Sequence, residues 1–414
     1  MNKPLSRARL EALDENDPLA RFRDRFLIPD GIIYMNGNSL GPLSRDAGAS
    51  LDRVVREEWG NELIRGWNSA GWYELPWRVG DKIGALIGAA PGETVIADST
   101  SVNLFKAVSA ALMLRPDRNK IVTEAGNFPS DLYILDGVRR FSDKDYAVDI
   151  NRRESVVDAI DESTAVVVLT HVHYLSGEIF PMAEITARAH EVGALMIWDL
   201  SHSVGAVNVD LNAARADFAV GCGYKHLNGG PGAPSFIFAA ERHHAQMRQP
   251  LSGWFSHANP FDFADEFVAA DGIRRMLCGT TGVLGATALE AGVDLILEAG
   301  AAELNEKTGR LSSIFQDLVA AQCEPYGLAL ASPQDTALRG AHVSYLHDAG
   351  YAVMQNLIDR NVIGDFRAPN YIRFGFSPLF MSYAQLYDAV QILRDILKSE
   401  SFNNPQYENV NMVT

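Results

Sequence analysis

The feature that most limits the fold is an alternation of short apolar, β-rich runs with longer segments of helical periodicity. The predicted strands are Thr94–Ala97, Lys120–Thr123, Ala165–Leu169, Ala194–Trp198, Phe218–Val220 and Ser235–Phe238. Between them, segments such as Phe180–Val192 have the apolar spacing of a helix. This pattern is typical of helices packed against a mostly parallel sheet, so the sequence predicts an α/β fold.

The pattern changes after about residue 290, which predicts a second, smaller domain of the α+β kind. We expect an N-terminal segment, residues 1–50, that packs with the small domain, a large domain, residues 51–290, and the small domain, residues 291–414. The elements predicted in the small domain and leading into it are Gly282–Ala299, Ala301–Ala321, Ala341–Tyr345, Tyr371–Gly375 and Tyr383–Leu397. The polar tail from Asn403 onward is expected to be frayed.

Composition excludes several classes of protein. The net charge is −16, from 36 basic and 52 acidic side chains in 414 residues, which argues against nucleic-acid binding. The three cysteines, Cys222, Cys278 and Cys323, are widely spaced, which argues against a disulfide framework and a structural zinc site. No run approaches 18 apolar residues and the charged N-terminal segment lacks a signal-peptide core, so we expect a cytoplasmic protein without a membrane span.

Two polar side chains follow buried strands at points where α/β sheets carry their ligands. Asp199 follows one strand, with His202 three residues later, and Lys225 follows the next strand, before the turn Asn228–Gly232. Taken alone, Asp199 is as well explained as a helix cap, and Lys225 is better explained as a solvated loop lysine. Together they match the needs of pyridoxal phosphate, which are a carboxylate for the ring nitrogen and a lysine for a Schiff base with the aldehyde.

Two further segments match the phosphate and the ring of this cofactor. Asp98-Ser99-Thr100-Ser101 precedes an apolar helix, and hydroxyls with free N–H groups at a helix N-terminus form an anion site. Its plainer interpretation is an ordinary N-cap. Phe128 in "NFPSD" is a candidate to stack on the ring, with Asp131 close by, although the segment could also be a simple hydrophobic turn.

In their order along the chain, which is phosphate cradle, stacking residue, Asp and Lys, the four pieces resemble the layout of fold-type I pyridoxal-phosphate enzymes, and the chain as a whole resembles the bacterial kynureninases. The resemblance covers nearly the full length through "NGNSLGP", "GNFPSD", "DLSHSVGA", "GYKHLNGGPG", "SGWFSH", "CGT" and "IRFGFSPL". The Asp-x-x-His and Tyr-Lys pieces are shared with the wider class V aminotransferase-like superfamily. "GNSLG", "NFPSD" and "GWFSH" together are far more specific. The prolines that the family would place after Thr280 are replaced by Thr281-Gly282.

The resemblance implies a pyridoxal-phosphate enzyme that hydrolyses L-kynurenine to anthranilate and L-alanine, in tryptophan catabolism, as a homodimer with shared active sites. It also implies a role for each matching residue. For the cofactor these are Lys225 for the covalent link, Asp199 for the ring nitrogen, His202 for hydrogen-bond support, Phe128 for stacking, Thr100 and Ser101 for the phosphate, Asp131 and Thr170 for the pocket wall, Tyr224 for the phosphate and for proton transfer, and Trp254 and Thr280 from the second subunit. For the substrate they are Arg373 for the α-carboxylate, with Trp67, Asn38 and Ser39.

The resemblance also predicts which substrate is preferred. In the family's animal members, which favour 3-hydroxykynurenine, the positions matching Trp67 and Thr280 carry His and Asn, which can hydrogen-bond a ring hydroxyl. Here neither side chain serves that hydroxyl well, so we expect kynurenine to be preferred.

The alternatives are other enzymes of the same superfamily, such as a cysteine desulfurase or a small-amino-acid aminotransferase. None of the three cysteines lies in a segment that suits the mobile nucleophile of a desulfurase. A catalytically dead scaffold protein would have lost Lys225 or Asp199, and both are present.

Overall fold

The structure, a computed structural model, describes residues 5–407. Residues 408–414, which belong to the tail predicted to be frayed, lie outside the described residues. The part of that tail inside them forms short turns at Ser401–Asn403 and Pro405–Tyr407, and Tyr407 Oη donates a hydrogen bond to Asp359 Oδ2 over 2.8 Å.

The described chain contains strands and helices in the following order. The strands are β1 Ile33–Tyr34, β2 Thr94–Ala97, β3 Lys120–Glu124, β4 Ala147–Asn151, β5 Thr164–Thr170, β6 Leu195–Asp199, β7 Phe218–Gly221, β8 Ser235–Ala239, β9 Ala329–Leu330, β10 His342–Leu346, β11 Val362–Ile363, β12 Asp365–Arg367 and β13 Tyr371–Gly375. The α-helices are α1 Arg7–Glu15, α2 Arg45–Arg53, α3 Gly60–Glu62, α4 Gly66–Ser69, α5 Leu75–Leu86, α6 Thr100–Met113, α7 Pro129–Phe141, α8 Met182–Glu191, α9 Glu241–His244, α10 Val283–Ala299, α11 Ala301–Cys323, α12 Gly350–Asp359 and α13 Tyr383–Ser399.

The central sheet has seven strands in the order β2-β8-β7-β6-β5-β3-β4. Only β8 runs against its neighbours, so the sheet is mostly parallel and the predicted α/β class is confirmed. All seven residues of β5 are buried, as expected for a strand covered on both faces by helices. The sequence missed β4, because this edge strand is half exposed and polar and so lacks a continuous apolar run.

A second sheet, antiparallel in the order β12-β13-β10-β9, lies in the C-terminal part of the chain. The N-terminal segment contacts this part, because β1 pairs with β11 and α1 packs against α13. The boundary predicted at residue 290 falls inside the continuous helix α10, so the division into domains stays a prediction. Within residues 5–407, no helix combines the length and the apolarity needed to cross a bilayer.

Candidate active site

A cavity of about 350 Å³ lies at the edge of the central sheet where the parallel strands end. Nine of the residues predicted from the sequence line it, namely Thr100, Ser101, Phe128, Asp131, Thr170, Asp199, His202, Tyr224 and Lys225. The sequence analysis did not single out six others, Ser130, Tyr174, Ser201, Gly232, Ala233 and Ser235. Four of those six lie inside or beside the quoted motifs, and this position in the sequence could have identified them as site residues. They are Ser130, Ser201, Gly232 and Ala233. Tyr174 and Ser235 lie outside the quoted motifs, although Ser235 begins a predicted strand.

Lys225 contacts a neutral partner in this cavity. Its Nζ lies 3.0 Å from Nε2 of His202, and no carboxylate of the described residues lies within ion-pair distance of it. Burial lowers the pKa of His202 well below its usual value, and the positive charge of Lys225 lowers it further. The neutral ring can therefore accept a hydrogen bond from Lys225, while its buried Nδ1 has no partner within residues 5–407. The ring of Phe128 has its centroid 5.8 Å from Lys225 Nζ.

Two buried carboxyl groups, Asp131 and Asp199, are close neighbours in the wall of the cavity. Asp199 ends β6 and its Oδ1 accepts a hydrogen bond from the backbone N–H of Ser201 over 2.7 Å. Burial raises the pKa of Asp131 well above its ordinary value, and the neighbouring Asp199 raises it further. The carboxyl group of Asp131 therefore holds a proton more readily than an exposed aspartate does. Its Oδ2 lies 3.4 Å from the hydroxyl oxygen of Thr170.

The start of α6 forms a cluster of hydrogen-bond donors at one end of the cavity. Ser99 is the N-cap, and its hydroxyl accepts from the backbone N–H of Val102 over 3.4 Å. Thr100 and Ser101 occupy the first turn, where backbone N–H groups have no partner within the helix. A helix N-terminus with two hydroxyl side chains is suited to an anion such as a phosphate.

Tyr224 lies at the mouth of the cavity, with 37% of its surface exposed. Burial of the remainder raises its pKa, and the nearby Cys222 and Asp199 act in the same direction. The phenol therefore stays protonated at neutral pH. Tyr224 can act as a proton donor first, and it can act as a base only after it has given up that proton.

Arg373, predicted to bind the substrate carboxylate, and Asn38 and Ser39, predicted to bind the substrate, are not among the residues that line this cavity. Arg373 is buried in β13 and donates through Nη1 to the backbone carbonyl of Tyr174, which does line the cavity. The hydroxyl of Ser39 accepts from Arg373 Nη2 over 3.2 Å. Asn38 is also buried, and neither atom of its amide has a partner within the described residues.

Three further predicted residues, Trp254, Thr280 and Trp67, do not line the cavity of this chain. Trp254 is 39% exposed and donates through Nε1 to Thr280 Oγ1 over 3.2 Å. Trp254 and Trp67 both lie against Phe255, with ring-centroid distances of 4.9 Å and 6.4 Å. Trp254 and Trp67 therefore share a contact with Phe255, Thr280 joins them through its hydrogen bond with Trp254, and none of the three lines the cavity that contains Lys225 of the same chain.

The cavity residues fit pyridoxal phosphate. The donors of α6 suit its phosphate, the buried Asp199 suits a protonated ring nitrogen, and Lys225 has no competing carboxylate partner within residues 5–407. The unpartnered Nδ1 of His202 offers one further polar contact beside the lysine.

Solved structures share this fold. The apo cysteine desulfurase from Thermococcus onnurineus superposes with a TM-score of 0.78 at 17% identity, over 92% of this chain and 98% of that one. A lysine-to-alanine mutant of C-DES with glycine covalently linked to its PLP cofactor gives a TM-score of 0.76 at 16% identity, over 90% and 98% of the two chains. Fold and site together define a pyridoxal-phosphate-dependent enzyme of fold type I.

The sequence comparisons narrow the class to one family. The kynureninase of Pseudomonas fluorescens is 46% identical over 408 residues, which cover 97% of this chain and 98% of that one. Residues 304–393 match the family model described as the kynureninase C-terminal domain. The chain belongs to the kynureninase family.

Proposed function

We propose that the protein hydrolyses L-kynurenine to anthranilate and L-alanine with pyridoxal phosphate as cofactor. The observation that carries the proposal is that Asp199, at the end of β6, and Lys225, in the loop after β7, line one cavity in a chain that is 46% identical to a kynureninase. In this reaction the Cβ–Cγ bond breaks, the oxygen of a water molecule enters the carboxyl group of anthranilate, and protons are delivered to the carbon atoms of alanine.

Pyridoxal phosphate, when bound, supplies a protonated ring that withdraws electrons from the substrate carbons. Asp199 would keep the ring nitrogen protonated by placing a buried negative charge beside it. Lys225 Nζ is the base that would take the α-proton, and His202, at 3.0 Å, would hold that amine in position.

Proton delivery in the second half of the reaction falls to Tyr224. Its pKa is raised, so it carries a proton at neutral pH, and its position at the cavity mouth puts it where the substrate side chain enters. We assign to Tyr224 the protonation of the β-carbon after the Cβ–Cγ bond breaks, and to Phe128 the stacking on the cofactor ring.

The rival activity, cysteine desulfuration, has weak support. Burial raises the pKa of Cys222 and raises that of Cys323 to about 12, so both thiols stay protonated and poorly nucleophilic. Cys278 is partly exposed but lies beside Thr280, outside the residues that line the cavity.

A homodimer with shared active sites is part of the same proposal. Trp254, Thr280 and Trp67 do not line the cavity that contains Lys225 of their own chain, so we assign them to the site of the second subunit. Action on a small dissolved amino acid is also compatible with a cytoplasmic location, which stays a prediction.

Mixing two inactive variants tests the shared site. Lys225→Ala lacks the catalytic amine, and Trp254→Ala lacks the aromatic group offered to the neighbour. A hybrid dimer contains one site with both groups intact, so equal mixing with full subunit exchange restores about one quarter of the wild-type sites. Anthranilate formation is measured before and after exchange. No recovery, with exchange verified by mass, means that Trp254 acts within its own chain.

A kinetic comparison of three amino acids tests the substrate. We expect kcat/KM for L-kynurenine to exceed that for 3-hydroxykynurenine by roughly ten- to a hundred-fold, because a buried hydroxyl without a partner costs about 1–3 kcal/mol. L-Cysteine should give no sulfide. A higher kcat/KM for 3-hydroxykynurenine would contradict our interpretation of Trp67 and Thr280.

A further inference from the structure

Two arginines share one buried carboxylate beside the cavity. Asp365 and Arg373 face each other across the antiparallel pair β12 and β13, and Arg367 lies two residues further along β12. Asp365 is 1% exposed. Its Oδ2 lies 3.0 Å from Arg367 Nη2 and also accepts a hydrogen bond from the hydroxyl of Ser39 over 2.5 Å.

Arg373 has little capacity left for a ligand. Its Nε and Nη2 both donate to Asp365, over 2.6 Å and 2.5 Å, Nη2 also donates to Ser39, and Nη1 donates to the carbonyl of Tyr174. A guanidinium has five N–H groups, so one remains. The sequence motif suggests that Arg373 binds the substrate carboxylate by two hydrogen bonds. To do so, it must first release one of these partners.

Arg367 has more free N–H groups than Arg373 and is more exposed to solvent. Its Nη1 donates to the carbonyl of Phe366 over 2.9 Å, and its Nη2 lies near Asp365 and 3.4 Å from Ser39 Oγ. The Nε–H and the second N–H of Nη1 are left over among the described contacts. The side chain is 35% exposed, whereas that of Arg373 is 2% exposed.

The charges of this cluster are not balanced. Two guanidinium groups face one carboxylate, which leaves one positive charge where Arg367 reaches solvent. The carboxylate of Asp365 lies 3.0 Å from Arg367 and is shared with Arg373. Tyr174, which lines the cavity, lies close enough to Arg367 to act on its pKa. A single negative charge, such as the α-carboxylate of an amino acid, would neutralise the cluster.

We propose that Arg367 binds the α-carboxylate of the substrate together with the one remaining N–H of Arg373, and that Asp365 positions both guanidinium groups. The inference rests on the proposed function, and it adds a binding residue that the motif "IRFGF" does not contain. Carboxylate recognition then comes from both strands of the β12–β13 pair.

The test compares an acid with its amide, because only a residue that contacts the carboxylate can tell them apart. L-Alanine and L-alaninamide are titrated into the holoenzyme, and binding is followed by the visible absorption of the cofactor, which needs no turnover. In Arg367→Gln, we expect the preference for L-alanine over the amide to fall roughly ten- to a hundred-fold, with amide binding nearly unchanged. Arg367→Lys, which keeps the charge but loses the planar fork, should lie between the two. Arg360→Gln, at the exposed end of α12, is the matched control and should behave as wild type.

An equal loss for acid and amide would show a structural role, and unchanged binding of both would show no role. Either result overturns the proposal. If Arg367→Gln does not load cofactor, the ratio measured in Arg367→Lys decides. Failure of the proposed function looks different, because the wild-type protein would then produce no anthranilate from L-kynurenine.

Discussion

Replacing Lys225 with alanine is expected to lower anthranilate formation by at least about a thousand-fold and to remove the visible absorption of lysine-bound cofactor. The physical reason is that no other lysine within residues 5–407 lines the cavity, so neither the covalent link nor the base that takes the α-proton can be replaced from nearby. Activity is measured with L-kynurenine, and absorption is recorded on the same preparation.

Lys120→Ala is a suitable control for this variant. Lys120 begins β3, at the opposite edge of the sheet, and pairs with Asp161. The Lys120→Ala variant should keep both the visible absorption of the lysine-bound cofactor and the formation of anthranilate. Kynurenine hydrolysis that persists in Lys225→Ala would refute the role assigned to Lys225.

Changing Asp199 to asparagine is expected to reduce kcat on the order of a hundred-fold or more while the fold and cofactor binding persist. An asparagine has the same shape and can still accept the backbone N–H of Ser201, so the local structure should hold. It lacks the charge that would face the ring nitrogen, and loss of a buried charge partner costs about 3 kcal/mol or more.

Circular dichroism and the visible spectrum verify that Asp199→Asn is folded and loaded before kcat is measured. Asp210→Asn, at an exposed position where Oδ1 accepts a hydrogen bond from the backbone N–H of Ala213, serves as the control. An Asp199→Asn enzyme within a factor of two of wild type would mean that this carboxylate does not support the ring nitrogen.

The central sheet and the position of the site could be predicted from the sequence because both depend on local signals. Continuous apolar runs mark strands buried on two faces, and the polar residue after each run must lie at the carboxyl edge of a parallel sheet. Asp199 and Lys225 were found by this argument, and β4 was missed because an edge strand needs no such run.

The surroundings of Arg373 could not be predicted in this way. Its contacts come from Ser39 and Tyr174, which are distant in sequence, and from Asp365, which faces it only because of the register between β12 and β13. Register depends on the turn and on packing across the sheet, neither of which is visible in the motif that contains Arg373. Only the structure shows that Asp365 occupies the Nε and Nη2 donors of Arg373.

The most direct test of the account is product analysis of wild-type holoenzyme with L-kynurenine in water enriched in oxygen-18. We predict anthranilate and L-alanine in equal amounts, with one labelled oxygen in the anthranilate carboxyl group. Absence of anthranilate, or consumption of kynurenine with release of an oxo acid instead of alanine, would contradict the assignment of this chain as a carbon–carbon bond hydrolase.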